Sequence, residues 1–478
     1  MRSWQLAAGS AAAGLALAAG AIAVAGPWDN GQRTAERAHA AALGRSGAHH
    51  GTRPAGDPVR ARPDAAPSAP GVLPGTVAPG TAPAGAATGL AEALRPLLAR
   101  PALGPGPAAS VVDAATGRVL FAAGPGRPVT PASTIKIATA AAALSALGPE
   151  HRIETRTVAA PGGPVVLVGG GDPTLTARTG RTDGASLRVL AADTAKALKA
   201  AGRTSVTLGY DAGLFTGPTA HPIGAGNENL APVTALAVDQ GRLDASTSGT
   251  AARGADPAAD AARAFAAGLA REGVTVTGRP APVKAAAGAA PLAIVRSAPL
   301  AVLVERMLTQ SDNDIAEALA RQTALASGAP ASFEGAAKAV TARLAALGLP
   351  MAGTRFADGS GLDRRDRLTA AFLTALLAEA ADPARPALRP LLTGLPVAGF
   401  TGTLRGRYTG PGTPPEPLAP GLVRAKTGTL SGVNSLAGTV VTPSGRLLSF
   451  AFLATDTPSA EQAQPALDAL AAALVTHG

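Results

Sequence analysis

Apolar residues fall along the chain in three regimes. Between Leu6 and Ala25 they run almost unbroken behind Met1 and Arg2, the order of a charged start followed by a secretory hydrophobic stretch. Ala23-Val24-Ala25 has the small-x-small form of a cleavage site. The run also approaches the roughly 20 residues that cross a bilayer. Residues 1–26 therefore read as a signal peptide or a membrane anchor. From 27 to 86 Pro, Gly, Ala, Arg and His follow one another with no apolar period, which predicts a disordered linker.

Periodic patterns fill the rest. Leu90–Leu98 predicts a short helix. Ala109–Asp113 and Arg118–Ala122 alternate on either side of a turn ending Ala115-Thr116-Gly117, a hairpin signal. A turn over Pro128–Ser133 starts a helix over Thr134–Leu147, ended by Gly148-Pro149. Strands at Val165–Val168, Ser205–Tyr210 and Gly273–Thr277, with a helix over Asp256–Glu272, make 158–295 a smaller inserted α/β unit. Helices follow at Leu300–Gln310, Asp314–Leu325, Phe333–Leu347 and Thr369–Ala380. Three antiparallel strands (Leu422–Leu430, Asn434–Thr442, Arg446–Leu453) and a helix over Ala460–Thr476 close the chain. The hairpin and the late meander together predict a sheet of about five antiparallel strands with helices against it, an α+β domain built from 87–157 and 296–478.

Composition narrows the chemistry. Cysteine is absent, so disulfides, thiolate metal sites and a catalytic thiol are excluded. Six histidines show no ligand spacing, and neither a metal nor a cofactor is expected. Net charge is +10, yet no basic run is interleaved with aromatics, so nucleic acid is not an expected partner. A mildly basic chain suits an anionic envelope surface. Lysine occurs only at 136, 196, 199, 284, 338 and 426. Unlike Arg, a buried Lys can act as a base.

Ser133 and Lys136 are three apart and share one helix face. A hydroxyl beside an amine is a nucleophile beside a base. Alone, the pair also reads as an N-cap and a solvated lysine. Ser311-Asp312-Asn313 lies at a predicted break between helices. Ser311 and Asn313 do not face one way on a regular helix, so they converge only if the chain is irregular there. An ordinary N-cap is the plain alternative. Lys426-Thr427-Gly428-Thr429 lies on a predicted strand. Lys426 and a threonine hydroxyl can bind a carboxylate, and Gly428 would let a substrate backbone lie against the strand edge. Desolvation, with Lys426 as a second cation, would lower the Lys136 pKa.

The ordered set Ser-x-x-Lys, Ser-Asp-Asn and Lys-Thr-Gly is the signature of penicillin-binding proteins and class A β-lactamases. The chain resembles the serine D-alanyl-D-alanine carboxypeptidase/endopeptidase family, the class C low-molecular-mass penicillin-binding proteins. Further segments carry the resemblance: Gly170–Leu175, Tyr210–Gly217, Pro232–Asp239 and Asp358–Leu362, with the long gap between the first two motifs. The resemblance implies the penicillin-binding, β-lactamase-like fold and an acyl-enzyme on Ser133, with Lys136 as base. It also implies Ser311 in the proton relay and Asn313 as a clamp on the substrate. Lys426, Thr427 and Thr429 would bind the terminal carboxylate, and the N–H groups of Ser133 and Thr429 would form the oxyanion hole. Asp172 and Arg364 would lie near the side-chain end of the peptide. Implied partners are peptidoglycan stem peptides, with β-lactams as acylating inhibitors, and the implied location is extracytoplasmic. A class A β-lactamase would need a short first gap and a downstream Glu-x-x-Leu-Asn, which Glu334-Gly-Ala-Ala-Lys338 does not supply. A penicillin-binding esterase and a non-catalytic wall-binding protein stand as further alternatives.

Overall fold

Leu448, Phe450 and Phe452 alternate with Ser449, Ala451 and Leu453 on one strand, and every one of them is buried. A strand buried on both faces needs a helical layer on each side. The computed structural model describes residues 84–478 except 160–162, 181–183, 225 and 409–418. The expected leader at 1–26 and nearly all of the expected linker at 27–86 lie outside the described residues. In chain order the first elements are α1 (Ala84–Leu98), β1 (Ala108–Asp113), β2 (Val119–Ala123) and α2 (Ile135–Leu147). Next come β3 (Glu154–Ala159), β4 (Val165–Val168), α3 (Leu187–Ala200), β5 (Ser205–Asp211), α4 (Pro257–Arg271), β6 (Thr275–Pro282) and β7 (Pro291–Arg296). The chain continues with α5 (Leu300–Gln310), α6 (Asn313–Ala326), α7 (Phe333–Ala346), α8 (Ala370–Ala381) and α9 (Pro390–Thr393). It ends with β8 (Val423–Leu430), β9 (Val433–Val441), β10 (Leu447–Thr455) and α10 (Ala460–His477).

One five-stranded antiparallel sheet runs β2-β1-β10-β9-β8, with β8 on its edge. Ala451 and Leu453 face a core shared with α2 and α5–α8. Leu448, Phe450 and Phe452 face a second core shared with α1 and α10. Removing the Phe450 ring would cost about 3–5 kcal/mol. This is the α+β arrangement that the hairpin and the late meander predict, and the penicillin-binding, β-lactamase-like fold that the resemblance implies.

A second sheet, β6-β5-β4-β3-β7, is built wholly from residues between 154 and 296. Strands β4, β5 and β6 are parallel, while β3 is antiparallel to both β4 and β7. Helices α3 and α4 close its own core around Leu167, Leu190, Phe265 and Leu269. Two differences from the sequence reading stand out. β3 begins at Glu154, ahead of the expected start of the unit at 158, because its partner β7 is distant in sequence. α3 is unexpected, although its buried face carries Leu187, Leu190 and Leu198 beside Ala191, Thr194 and Ala195. Among the described residues no helix is long and apolar enough to cross a membrane.

Candidate active site

The turn that carries Ser133 is strained and tightly held. Ala132 sits at φ +49° although it is not glycine, a conformation that costs about 1–3 kcal/mol and persists only when its surroundings impose it. Residues Ala132–Thr134 form a single 3-10 turn that runs into α2. The hydroxyls of Thr134 and Ser435 each donate to the Pro131 carbonyl at 2.7 Å. A Cβ on Gly428 would stand 2.1 Å from Ser435 Oγ and 2.6 Å from the Pro131 carbonyl oxygen. A Cβ on Gly361, itself at φ +84°, would stand 2.1 Å from the Ala132 carbonyl oxygen. The absent side chain of Gly428 therefore makes room for the nucleophile's own turn.

Lys136 is fully buried beneath this turn. Its Nζ lies 2.9 Å from Ser133 Oγ, 2.7 Å from Asn313 Oδ1 and 2.6 Å from the Ser360 carbonyl oxygen. A neutral amine has two N–H donors and one lone pair. Asn313 Oδ1 and the Ser360 carbonyl can only accept, so they take both donors. The lone pair is left for the Ser133 hydroxyl. Burial lowers the Lys136 pKa to about 8, against Asp358, Glu317, Asp312 and Asp366, which raise it. Lys426 is not among these leading influences, contrary to the sequence reading. The repulsion between the two amines appears at Lys426, which is held well below the ordinary lysine value by burial and then by Lys136.

The Ser360 carbonyl is fixed by carboxylates on its loop and on α6. Asp358 accepts from the N–H groups of Ser360, Gly361, Leu362 and Asp363. Glu317, on α6, accepts from those of Gly359 and Ser360. His221 Nε2 lies 3.0 Å from Asp358 Oδ2 and 3.6 Å from Glu317 Oε1. Burial favours neutral His221, but its bonds to Asp358 and Glu317 outweigh that and lift its pKa to about 9. Burial likewise opposes charge on Asp358, yet the bonds from His221, Asp366 and the main chain hold it below the usual carboxylate range. Asp366 is pushed up to about 10 by burial and by the charge on Asp358. His221, Glu317 and Asp358 have the composition of a metal site. Both Asp358 oxygens and Glu317 Oε1 already accept main-chain N–H groups, so we assign the cluster as an ion-pair network.

Ser311 caps α5 in the left-handed region at φ +57°. That irregularity lets Ser311 and Asn313 face one cavity, the condition set by their spacing. Asp312 caps α6 by accepting from the Ile315 N–H at 3.0 Å. Its carboxylate also takes the Gln240 amide at 2.9 and 2.7 Å. Asn313 Nδ2 donates to the Asn229 carbonyl at 3.0 Å. Segments between β5 and α4 thus brace the middle motif, which the sequence did not signal.

On β8, Ala425 N–H points outward to the Pro396 carbonyl at 2.9 Å. Alternation then turns the main-chain groups of Thr427 and Thr429 toward the same open edge. Thr427 Oγ1 lies 2.8 Å from Thr403 Oγ1. Lys426 is fully buried, and its Nζ donates to the Thr427 carbonyl at 2.9 Å.

Ser133, Ser311, Asn313, Thr427 and Thr429 line one cleft of about 370 Å³, within the range of small-molecule sites. Lys136 and Lys426 lie under its floor. Asn229, Arg242, Ser248, Thr403, Arg407 and Gln464 also line it. Sequence reasoning missed them because none sits in a motif. The structure does not bring Asp172 or Arg364 to the lining. Asp172 is 3% exposed, donated to by Thr174 N–H and Oγ1. Burial raises its pKa to about 6. Arg364 is exposed and donates to the Ser431 carbonyl at 2.8 Å, tying the Asp358 loop to the β8–β9 turn.

Comparison with known proteins agrees with this geometry. The model of the D-Ala-D-Ala carboxypeptidase 3 (S13) family matches residues 90–255 and 243–474. The chain is 42% identical to a carboxypeptidase of Mycobacterium tuberculosis over 378 residues, 77% of this chain and 79% of that one. It is 38% identical to carboxypeptidase DacB of Mycolicibacterium smegmatis over 435 residues, 88% of this chain and 91% of that one. Among solved structures, penicillin-binding protein 4 of Haemophilus influenzae superposes with a TM-score of 0.64 at 22% identity, covering 82% of this chain and 98% of that one; this likeness is one of fold. A Ser–Lys pair under a cleft, braced by a helix break and a strand edge, on a chain that the family model matches over most of its length, places this protein in the D-Ala-D-Ala carboxypeptidase 3 (S13) family.

Proposed function

We propose that the chain hydrolyses the D-Ala-D-Ala bond of peptidoglycan stem peptides as a serine carboxypeptidase/endopeptidase, through an acyl-enzyme on Ser133. Lys136 Nζ takes the Ser133 hydroxyl proton while Oγ attacks the carbonyl carbon of the penultimate D-Ala. The oxyanion forms against the N–H groups of Ser133, at the start of α2, and Thr429, on the open edge of β8. The C–N bond then breaks, and the leaving amine receives the proton from Lys136 through Ser311. Water cleaves the resulting ester and frees Ser133. Asn313 holds Lys136 and clamps the substrate amide. Thr427 and Thr429 meet the terminal carboxylate, with Lys426 supplying its field from beneath. Gly428 keeps the nucleophile turn seated. Arg364 is assigned to the distal part of the stem peptide. Asp172, buried and donated to by Thr174, is assigned to the turn that carries it.

The observation that carries this reading is the set of three contacts at Lys136 Nζ, which leaves the amine lone pair facing Ser133 Oγ at 2.9 Å. A β-lactam carbonyl offers the same target, with a leaving amine that stays tethered, so penicillins acylate Ser133. The Haemophilus penicillin-binding protein 4 has been solved in complex with a β-lactam. The substrate lies in the cell wall, so the chain acts in the envelope, outside the cytoplasm. Incubation with a pentapeptide stem, followed by mass analysis, tests the reading. Release of the terminal D-Ala is expected and Ser133→Ala abolishes it; an intact pentapeptide, with crosslinked dimers also uncut, refutes it.

A further inference from the structure

We infer that His221 is a positioning residue for the reaction, holding Lys136 as a free amine by occupying the buried carboxylates of Asp358 and Glu317. The inference rests on the reading of Lys136 as base. Asp358 and Glu317 are the two strongest influences favouring a charged Lys136. The same two carboxylates are the hydrogen-bond and ion-pair partners of His221. Two cations thus compete for one pair of anions, and His221 is in direct contact with both.

The surroundings leave few substitutes. Lys136 and His221 approach the pair from α2 and from the loop after β5. On α6 the other cation is Arg321, whose guanidinium lies 4.2 Å over the Phe333 ring and donates to the Ala331 carbonyl at 2.8 Å. The Phe333 ring also meets His221 edge-on at 5.2 Å, which keeps water from the imidazole. On the loop, burial and the charge on Asp358 push the Asp366 pKa up, and Asp363 is paired with Arg365. Removing the His221 charge therefore leaves Lys136 as the cation to which Asp358 turns, while Glu317 is shared between Lys136 and Arg321. A protonated Lys136 has no lone pair for Ser133. His221 belongs to the chain between β5 and α4, so this long connection sets the protonation of a base that lies outside it.

The test is the pH profile of the second-order acylation rate with a fluorescent penicillin, on the full chain. His221→Gln keeps a donor toward Asp358 and removes the charge. It moves the acid limb up by about one pH unit, because a neighbouring charge shifts a buried group by 1–3 units, and slows acylation at pH 7 about tenfold. The high-pH plateau is retained. Glu317→Gln, which keeps an acceptor for Gly359 and Ser360, moves the limb down, and the double variant returns it toward wild type. A merely structural role would lower the plateau and leave the limb in place. A limb unmoved in folded His221→Gln overturns the inference; if that variant does not fold, an unmoved limb in Glu317→Gln does so. A wild-type chain that no penicillin acylates at any pH refutes the underlying reading, whereas normal wild-type acylation with unmoved limbs refutes this inference alone.

Discussion

Gly428→Ala isolates the contact between the edge strand and the nucleophile. The new Cβ would stand 2.1 Å from Ser435 Oγ and 2.6 Å from the Pro131 carbonyl oxygen, where ordinary contact begins at 3.4 Å. The hydroxyl can rotate, although it then loses its bond to Pro131. The main-chain oxygen cannot. Relief requires the turn or the strand to shift by about 0.8 Å, and Pro131 is only two residues from Ser133. Overpacking of this kind costs about 1–3 kcal/mol of stability, and a misplacement near 1 Å can cost about a hundredfold in rate. The expected result is a folded protein whose penicillin acylation slows by about 30- to 100-fold, measured by stopped-flow fluorescence. Gly126→Ala is the control, because nothing lies within 4 Å of its Cβ position. Acylation of Gly428→Ala within threefold of wild type, with unchanged melting temperature, would refute the claim that this glycine seats the turn.

Three further outcomes follow from the same geometry. Lys136 must be deprotonated to act, and its pKa is lowered to about 8; the acylation rate should rise about tenfold from pH 7 to pH 9 as the free amine goes from about a tenth to about nine-tenths, and a flat profile would exclude Lys136 as base. Gln240→Leu strips the buried Asp312 carboxylate of the Gln240 amide at 2.9 and 2.7 Å, so thermal unfolding should show a loss of about 1–3 kcal/mol and acylation should slow as Ser311 and Asn313 loosen. The His221 pKa is raised from 6.5 to about 9, so its ion pairing is complete below pH 6.5 and disappears as pH rises through 9; the melting-temperature advantage of wild type over His221→Gln should shrink across that window, and a constant difference would contradict the pairing.

The parts of the site that lie in short motifs were legible in the sequence. Ser133 and Lys136 share a helix face by spacing alone, and the break at Ser311 is announced by Ser-Asp-Asn between two apolar periods. The five-stranded sheet was readable because its members are locally alternating strands. Other features depend on partners far apart in sequence and left no local trace. His221 meets Asp358 across 137 positions, and Gln240 meets Asp312 across 72. Neither has a periodicity to betray it. Gly428 was legible as a needed glycine, but the object it accommodates, the Pro131–Ala132 turn, became identifiable only with the fold. Asp172 and Arg364 were carried over by resemblance, and the cleft does not include them in its lining. β3 was obscured for a different reason: its buried positions include Thr155 and Thr157, so its alternation gives weak apolar contrast.

The most direct measurement of the central claim is the intact mass of the full chain after exposure to benzylpenicillin, with peptide mapping of the adduct. The account predicts one penicillin per chain, carried on Ser133, and none on Ser133→Ala. An adduct mapped to another residue, or D-Ala release that persists in Ser133→Ala, would contradict it.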